Sequence, residues 1–186
     1  WIKKSYFSKK TLLMWLEDLV LRCEQLERWA DEFETPIVLW ISGLFNPMSF
    51  LTAIMQITAR SQGLPLDDML LKTEVTNTFQ TEDMTENPAS GAYINGFTLE
   101  GAGWEGGRNG EQGYLCDMIL KELSPELPIV HITAIRRAER QTIGFYICPV
   151  YFTTARGAAQ LVTKFDIAME SEDSDDKSWI LSGVAL

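Results

Sequence analysis

Four groups of residues have the types and spacing that chemistry would require. Gly101-Ala102-Gly103-Trp104-Glu105-Gly106 matches G-x-G-x-x-G. A dinucleotide site built on that pattern needs a strand before it and a helix after it, because the helix N-terminus holds the pyrophosphate. Here Gly107-Arg108-Asn109-Gly110 follows, and such a run cannot open a stable helix. A flexible loop is the expectation. No Gly-Lys-Ser/Thr occurs in the chain, so no lysine is placed as in a P-loop.

His131 is the single histidine, and the cysteines are Cys23, Cys116 and Cys148. A Cys/His nucleophile pair would join His131 to Cys148 or Cys116, with Asp117 as orienter. No active-site signature surrounds either cysteine, and strand alternation allows His131 on either face. A structural histidine is preferred. One histidine and scattered thiols give no metal-ligand spacing. The odd cysteine count without C-x-x-C reads as reduced thiols. Glu170-Ser171-Glu172-Asp173-Ser174-Asp175-Asp176 lacks the Gly and the distant Glu of a Ca²⁺ loop and reads as a solvated turn. Trp15, Trp29, Trp40, Trp104 and Trp179 read as core packing rather than stacking platforms. The expectation is therefore no catalytic, cofactor-binding or metal residue in this chain.

The elements that must position these residues follow from periodicity. Leu12, Trp15, Leu16, Leu19, Cys23, Leu26, Ala30 and Phe33 make one apolar stripe on a helix of about 10–34, ended by Thr35-Pro36. Ile37 to Ile41 is a short buried run. Asn46-Pro47 starts a helix that Gly63 and Pro65 stop. Leu71, Thr73 and Val75 alternate with charge, as in a half-buried strand. Residues 76–90 form a loop. Asn95-Gly96 between Ala92-Tyr93-Ile94 and Phe97-Thr98-Leu99 predicts a type I′ hairpin. Gly101 to Gly113 reads as a loop or linker, and Tyr114 to Leu123 as a short helical segment. Strands are expected at 128–135, 143–153, 159–169 and 179–186. The fold expected is α+β: helices in 1–65, then an antiparallel β-barrel of about six strands in 66–186. No internal repeat of 20–50 residues is present.

Composition bounds the partners. The chain has 186 residues, 46% of them hydrophobic, and a net charge of −10. Such a charge opposes phosphate-neutralising contact with nucleic acid and attachment to an anionic membrane surface. No apolar run reaches the roughly 18 residues of a membrane span. The start at Trp1 and the apolar end Gly183-Val184-Ala185-Leu186 suggest a fragment of a much longer polypeptide. Two classes stay open on the residues alone: a non-catalytic module of a larger protein, and a stand-alone ligand-binding β-barrel or Cys/His-type hydrolase.

Together, several segments resemble the C-terminal domain of an axonemal dynein heavy chain. They are Trp40 to Gln56, Ala92 to Trp104, Tyr146-Ile147-Cys148-Pro149-Val150-Tyr151 and Trp179 to Leu186. The glycine-rich 106–113 stretch and the 153–160 connection depart from many members. The resemblance implies helices followed by a small β-barrel, placed after the sixth AAA+ module and over one face of the motor ring. It implies a structural and regulatory role without a nucleotide site of its own; ATP and Mg belong to the parent chain. The implied partners are the AAA+ ring modules of the same heavy chain and other dynein subunits. The implied location is the cytoplasm and cytoskeleton, in the axoneme of a cilium or flagellum, with the outer-arm type preferred. Microtubules are acidic, so a −10 module is not expected to contact the track directly. The helix of 10–34 is expected to bury its stripe against the barrel or a neighbouring AAA+ module.

Overall fold

The computed structural model describes residues 11–106, 112–118, 126–141, 143–151, 161–169 and 176–186. The element order is α1 (Leu12–Glu32), β1 (Val38–Trp40), α2 (Pro47–Gln62), β2 (Met69–Val75), β3 (Ala92–Asn95), β4 (Gly103–Glu105), β5 (Tyr114–Cys116), β6 (Val130–Arg136), β7 (Phe145–Tyr151), β8 (Leu161–Ala168) and α3 (Asp176–Ser182).

Local chemistry accounts for the helix ends. Asn46 accepts the Ser49 N–H at 3.1 Å and caps α2, with Pro47 in the first turn where a missing donor is harmless. Gly63 closes it at φ 66°. Thr11 caps α1, and Phe33 ends it in the left-handed region at φ 54°, before Pro36 is reached.

The strands form an α+β fold, but no closed barrel among the described residues. One sheet has the order β1-β3-β6-β2; β4-β5 and β7-β8 are two-stranded. The strand pairs within 66–186 are antiparallel, as expected, while β1, from the N-terminal part, joins the sheet parallel to β3. The Asn95-Gly96 hairpin does not form. Only Gly96 takes positive φ (95°), whereas a type I′ turn needs two such residues. In addition, β3 is already paired on both edges, with β1 and β6, so 97–99 has no edge to return to. Tyr114–Cys116 is a strand against β4, not a helix; residues 119–123 lie outside the described residues. The expected strand 179–186 begins as helix α3. Gly183 (φ 73°) turns it, with Val184 N–H bonding the Trp179 carbonyl at 3.0 Å, and only the last three residues extend.

Two of the links that bind the sheets together are made by Thr73 and by the last three residues. Thr73, buried on β2, donates its hydroxyl to the Asp166 carbonyl on β8 at 3.0 Å and accepts the Asp166 N–H at 3.0 Å. Val184-Ala185-Leu186 lies between two other segments. Ala185 exchanges both backbone bonds with Glu100 (2.8 and 3.2 Å), and Leu186 exchanges both with Pro149 and Tyr151 (3.1 and 3.0 Å). Gly101, at φ 82°, makes room here: a Cβ would sit 2.4 Å from the Ser182 carbonyl oxygen. One continuous core results, with Phe165, Leu39, Leu51, Ile94, Leu99 and Ile132 among its fully buried side chains.

Candidate interaction surface

The candidate catalytic groups are placed apart. His131, on β6, uses Nε2 to donate to the Ser90 carbonyl at 2.9 Å. Its Nδ1 lies 3.9 Å from Glu74 Oε2, and its ring lies 5.0 Å from that of Tyr93. These contacts tie the 76–91 loop to the sheet. The Lys72 ammonium donates to Glu74; that hydrogen bond, with the charges of Lys72 and His131, holds the Glu74 carboxyl below its usual range against an opposing effect of burial. Cys148 is fully buried on β7, Cys116 is buried at the end of β5, Asp117 is exposed and Cys23 is exposed on α1; none forms a disulfide. Among the described residues, no three His, Cys, Asp or Glu side chains gather as a metal ion would require.

The glycine motif is also structural. Gly103–Glu105 is strand β4, so strand rather than helix occupies the position after Gly101. Gly113 lets the backbone pass over the Trp104 ring, where a Cβ would lie 2.5 Å from Nε1. The rest of the glycine run, 107–111, and the acidic residues 170–175 lie outside the described residues. A cavity of about 210 Å³ between β2, β7 and β8 is lined by Lys72, Thr73, Ile135, Arg140, Phe145 and Asp166, among others. The Arg140 guanidinium pairs with the Asp166 carboxylate across it.

What stands out is α1. Its seam against the rest of the domain is formed by Asp18, Arg22, Gln25, Leu26 and Trp29, the half-buried positions of the helix. Three of these are polar. Gln25 donates to the Trp40 carbonyl at 3.1 Å and accepts the Trp40 N–H at 2.8 Å, completing the outer edge of β1 as a strand would. Arg22 donates to the carbonyls of Gly43 (2.8 Å) and Ser42 (3.2 Å) and lies over the rings of Trp40 and Phe45. Trp29 meets Phe50 edge-on at 6.1 Å.

The stripe read from the sequence is therefore not the face that packs on this domain. At 3.6 residues per turn the seam is rotated from it by roughly a quarter turn, and only Leu26 belongs to both. No residue of α1 is buried. Leu12, Leu13, Leu16, Leu19, Val20 and Leu21 are exposed by 38% or more, and Trp15 by 36%. Of the five tryptophans assigned to the core, Trp179 is buried, Trp29, Trp40 and Trp104 are half-buried, and Trp15 faces out. No described helix is long and apolar enough to cross a membrane. Eight of the ten residues from Leu12 to Leu21 are apolar, and a helical stretch that is apolar on most of its circumference ordinarily sits inside a protein. The arrangement can bind a protein surface.

Comparison with known proteins gives the family. A family model for the C-terminal domain of the dynein heavy chain matches residues 1–186. Dynein axonemal heavy chain 17 of Homo sapiens is 41% identical over 186 residues, covering 100% of this chain and 4% of that protein. The ciliary dynein beta chain of Tripneustes gratilla is 41% identical over the same coverage, 100% and 4%. The flagellar outer arm dynein beta chain of Chlamydomonas reinhardtii is 40% identical, again over 100% and 4%. The 186 residues thus span 4% of the length of these relatives.

Proposed function

The protein belongs to the family of C-terminal domains of dynein heavy chains, and on that premise we propose that it is the non-catalytic structural and regulatory module of an axonemal heavy chain. In this reading it seats on the AAA+ ring of its own polypeptide in the axoneme of a cilium or flagellum. There it modulates ATP-driven movement along microtubules. ATP and Mg act in the parent chain's ring modules, and no chemical step runs through this domain. Other dynein subunits are partners of the parent complex rather than of a site in this domain.

The observation that carries the reading is the family match over residues 1–186. The uncovered apolar half of α1 supports it, since a domain seated on a ring must carry a surface that its own core does not close. The net charge of −10 favours contact with basic patches of the motor over the acidic track.

The test compares the parent motor with and without residues 1–186. Removal should leave nucleotide binding in place and change microtubule-stimulated ATPase or gliding velocity at least about twofold, an effect near 0.4 kcal/mol on the barrier. The purified domain should turn over no ATP and should not co-sediment with microtubules at low salt. Unchanged motor output on deletion would refute the regulatory role, and robust co-sedimentation would refute the exclusion of the track.

A further inference from the structure

We infer that Asn95-Gly96 is a modification site closed by the fold. While β3 is paired, the Asn95 carboxamide is inert; when β3 opens, it deamidates to products that the sheet cannot take back.

The chemistry is intrinsic to the dipeptide. The Gly96 backbone nitrogen attacks the Asn95 side-chain carbonyl carbon, Cγ. A C–N bond forms and the Cγ–Nδ2 bond breaks. The side-chain amide leaves as ammonia, taking the proton of the Gly96 N–H. The five-membered succinimide then takes up one water at either carbonyl and opens to aspartate or isoaspartate at position 95. A following glycine favours the attack, because no Cβ obstructs the approach of its nitrogen. The chain has two such pairs, Asn95-Gly96 and Asn109-Gly110.

Ring closure requires the Gly96 nitrogen to eclipse Asn95 Cβ about the Cα–C bond, and extended backbone holds the two well apart. Asn95 is the last residue of β3, and its partner across the parallel pairing is Trp40. Trp40 is held in turn by both Gln25 bonds. The Gly96 carbonyl accepts the Ser42 hydroxyl at 3.3 Å. The Trp40 indole lies so close over Gly96 that a Cβ there would sit 2.6 Å from Cδ1. Strand β1, Ser42 and α1 through Gln25 therefore fix both residues that must rotate.

The same surroundings reject the products. Asn95 Oδ1 is buried without a hydrogen-bond partner, which costs far more for a carboxylate than for a neutral amide. Isoaspartate routes the main chain through the former side chain and adds one carbon to it, displacing Gly96 from Ser42 and Trp40. An opening of β3 that would otherwise reverse is then recorded covalently, and β1 loses the strand against which it and the α1 seam are held.

Peptide mapping of the protein at mildly alkaline pH, folded or in guanidinium, tests the inference. In guanidinium, Asn95 and Asn109 should convert at similar rates. In the folded protein Asn95 should convert at least about tenfold more slowly than in guanidinium, because the reaction waits on local opening. Gln25→Ala removes the two bonds to Trp40 and should speed folded-state conversion at Asn95 about fivefold, with the rate in guanidinium unchanged. Asn95→Asp, the product made directly, should lower the melting temperature by roughly 4 °C or more. Protein converted in guanidinium and then refolded should likewise melt below unconverted protein refolded beside it. Equal conversion of Asn95 in the folded and unfolded protein would overturn the inference. So would an Asn95 that stays intact in guanidinium while Asn109 converts. Converted protein and Asn95→Asp that both melt with the parent would overturn it as well, since the sheet would then accept the product.

Discussion

Single residues here act by holding the protein together. Glu74 is the clearest case. Its carboxylate is favoured in the folded state by the Lys72 hydrogen bond and by nearby positive charge. A carboxyl whose folded pKa is lowered adds stability above its unfolded value, about 4.3, and loses that contribution as pH falls through the folded value. Glu74→Gln should therefore lower the melting temperature at neutral pH, and the two melting curves should converge as pH falls through the lowered folded value of Glu74. The effect should stay under about 0.5 kcal/mol, because both partners are largely exposed and screened. A difference that grew on acidification would show the wrong sign. His131 acts in the same way, as a clasp for the 76–91 loop through Ser90.

Elements were legible from the sequence wherever one local signal decided them. The Asn46-Pro47 start and the Gly63 stop set the bounds of α2, alternation located β2, and the strands expected at 128–135, 143–153 and 159–169 overlap β6, β7 and β8 to within a few residues. What stayed hidden was which element meets which. The sequence displays the apolar residues of α1, but which side packs depends on Trp40, Ser42 and Gly43, whose backbone groups attract Gln25 and Arg22. Hence the candidate surface was visible as a stripe and invisible as a surface. Likewise, the pairing of β3 on both edges decides against the Asn95-Gly96 hairpin, and no local window contains that fact. The link between β2 and β8 is equally non-local. Thr73→Val should leave the Asp166 N–H and carbonyl without the Thr73 partner inside the structure, at a loss of about 1–3 kcal/mol. Urea unfolding measures this; a midpoint equal to that of the parent would show that the bridge is not a joint.

At the scale of the whole molecule, the helices and small sheets become one body through few joints, and the terminal strand is the largest. Removing Val184, Ala185 and Leu186 takes away two large buried aliphatic side chains, the four backbone bonds to Glu100, Pro149 and Tyr151, and the bond that Tyr146 Oη donates to Val184. The loss should be on the order of 5 kcal/mol, comparable to the entire stability of many domains. Near-ultraviolet circular dichroism should then show no cooperative melt; a sharp transition near the parent's temperature would contradict this. The same strand sets an order of events. Glu100 and Pro149 leave the ribosome before Ala185 and Leu186, so a nascent polypeptide must hold the backbone groups of both segments unsatisfied until Val184, Ala185 and Leu186 arrive. Contacts this distant in sequence close slowly, and open edges invite pairing with a neighbouring molecule. Refolding of the intact protein should accordingly end in a slow phase that the truncated form lacks, and the interval before that phase is when the protein is most exposed to self-association.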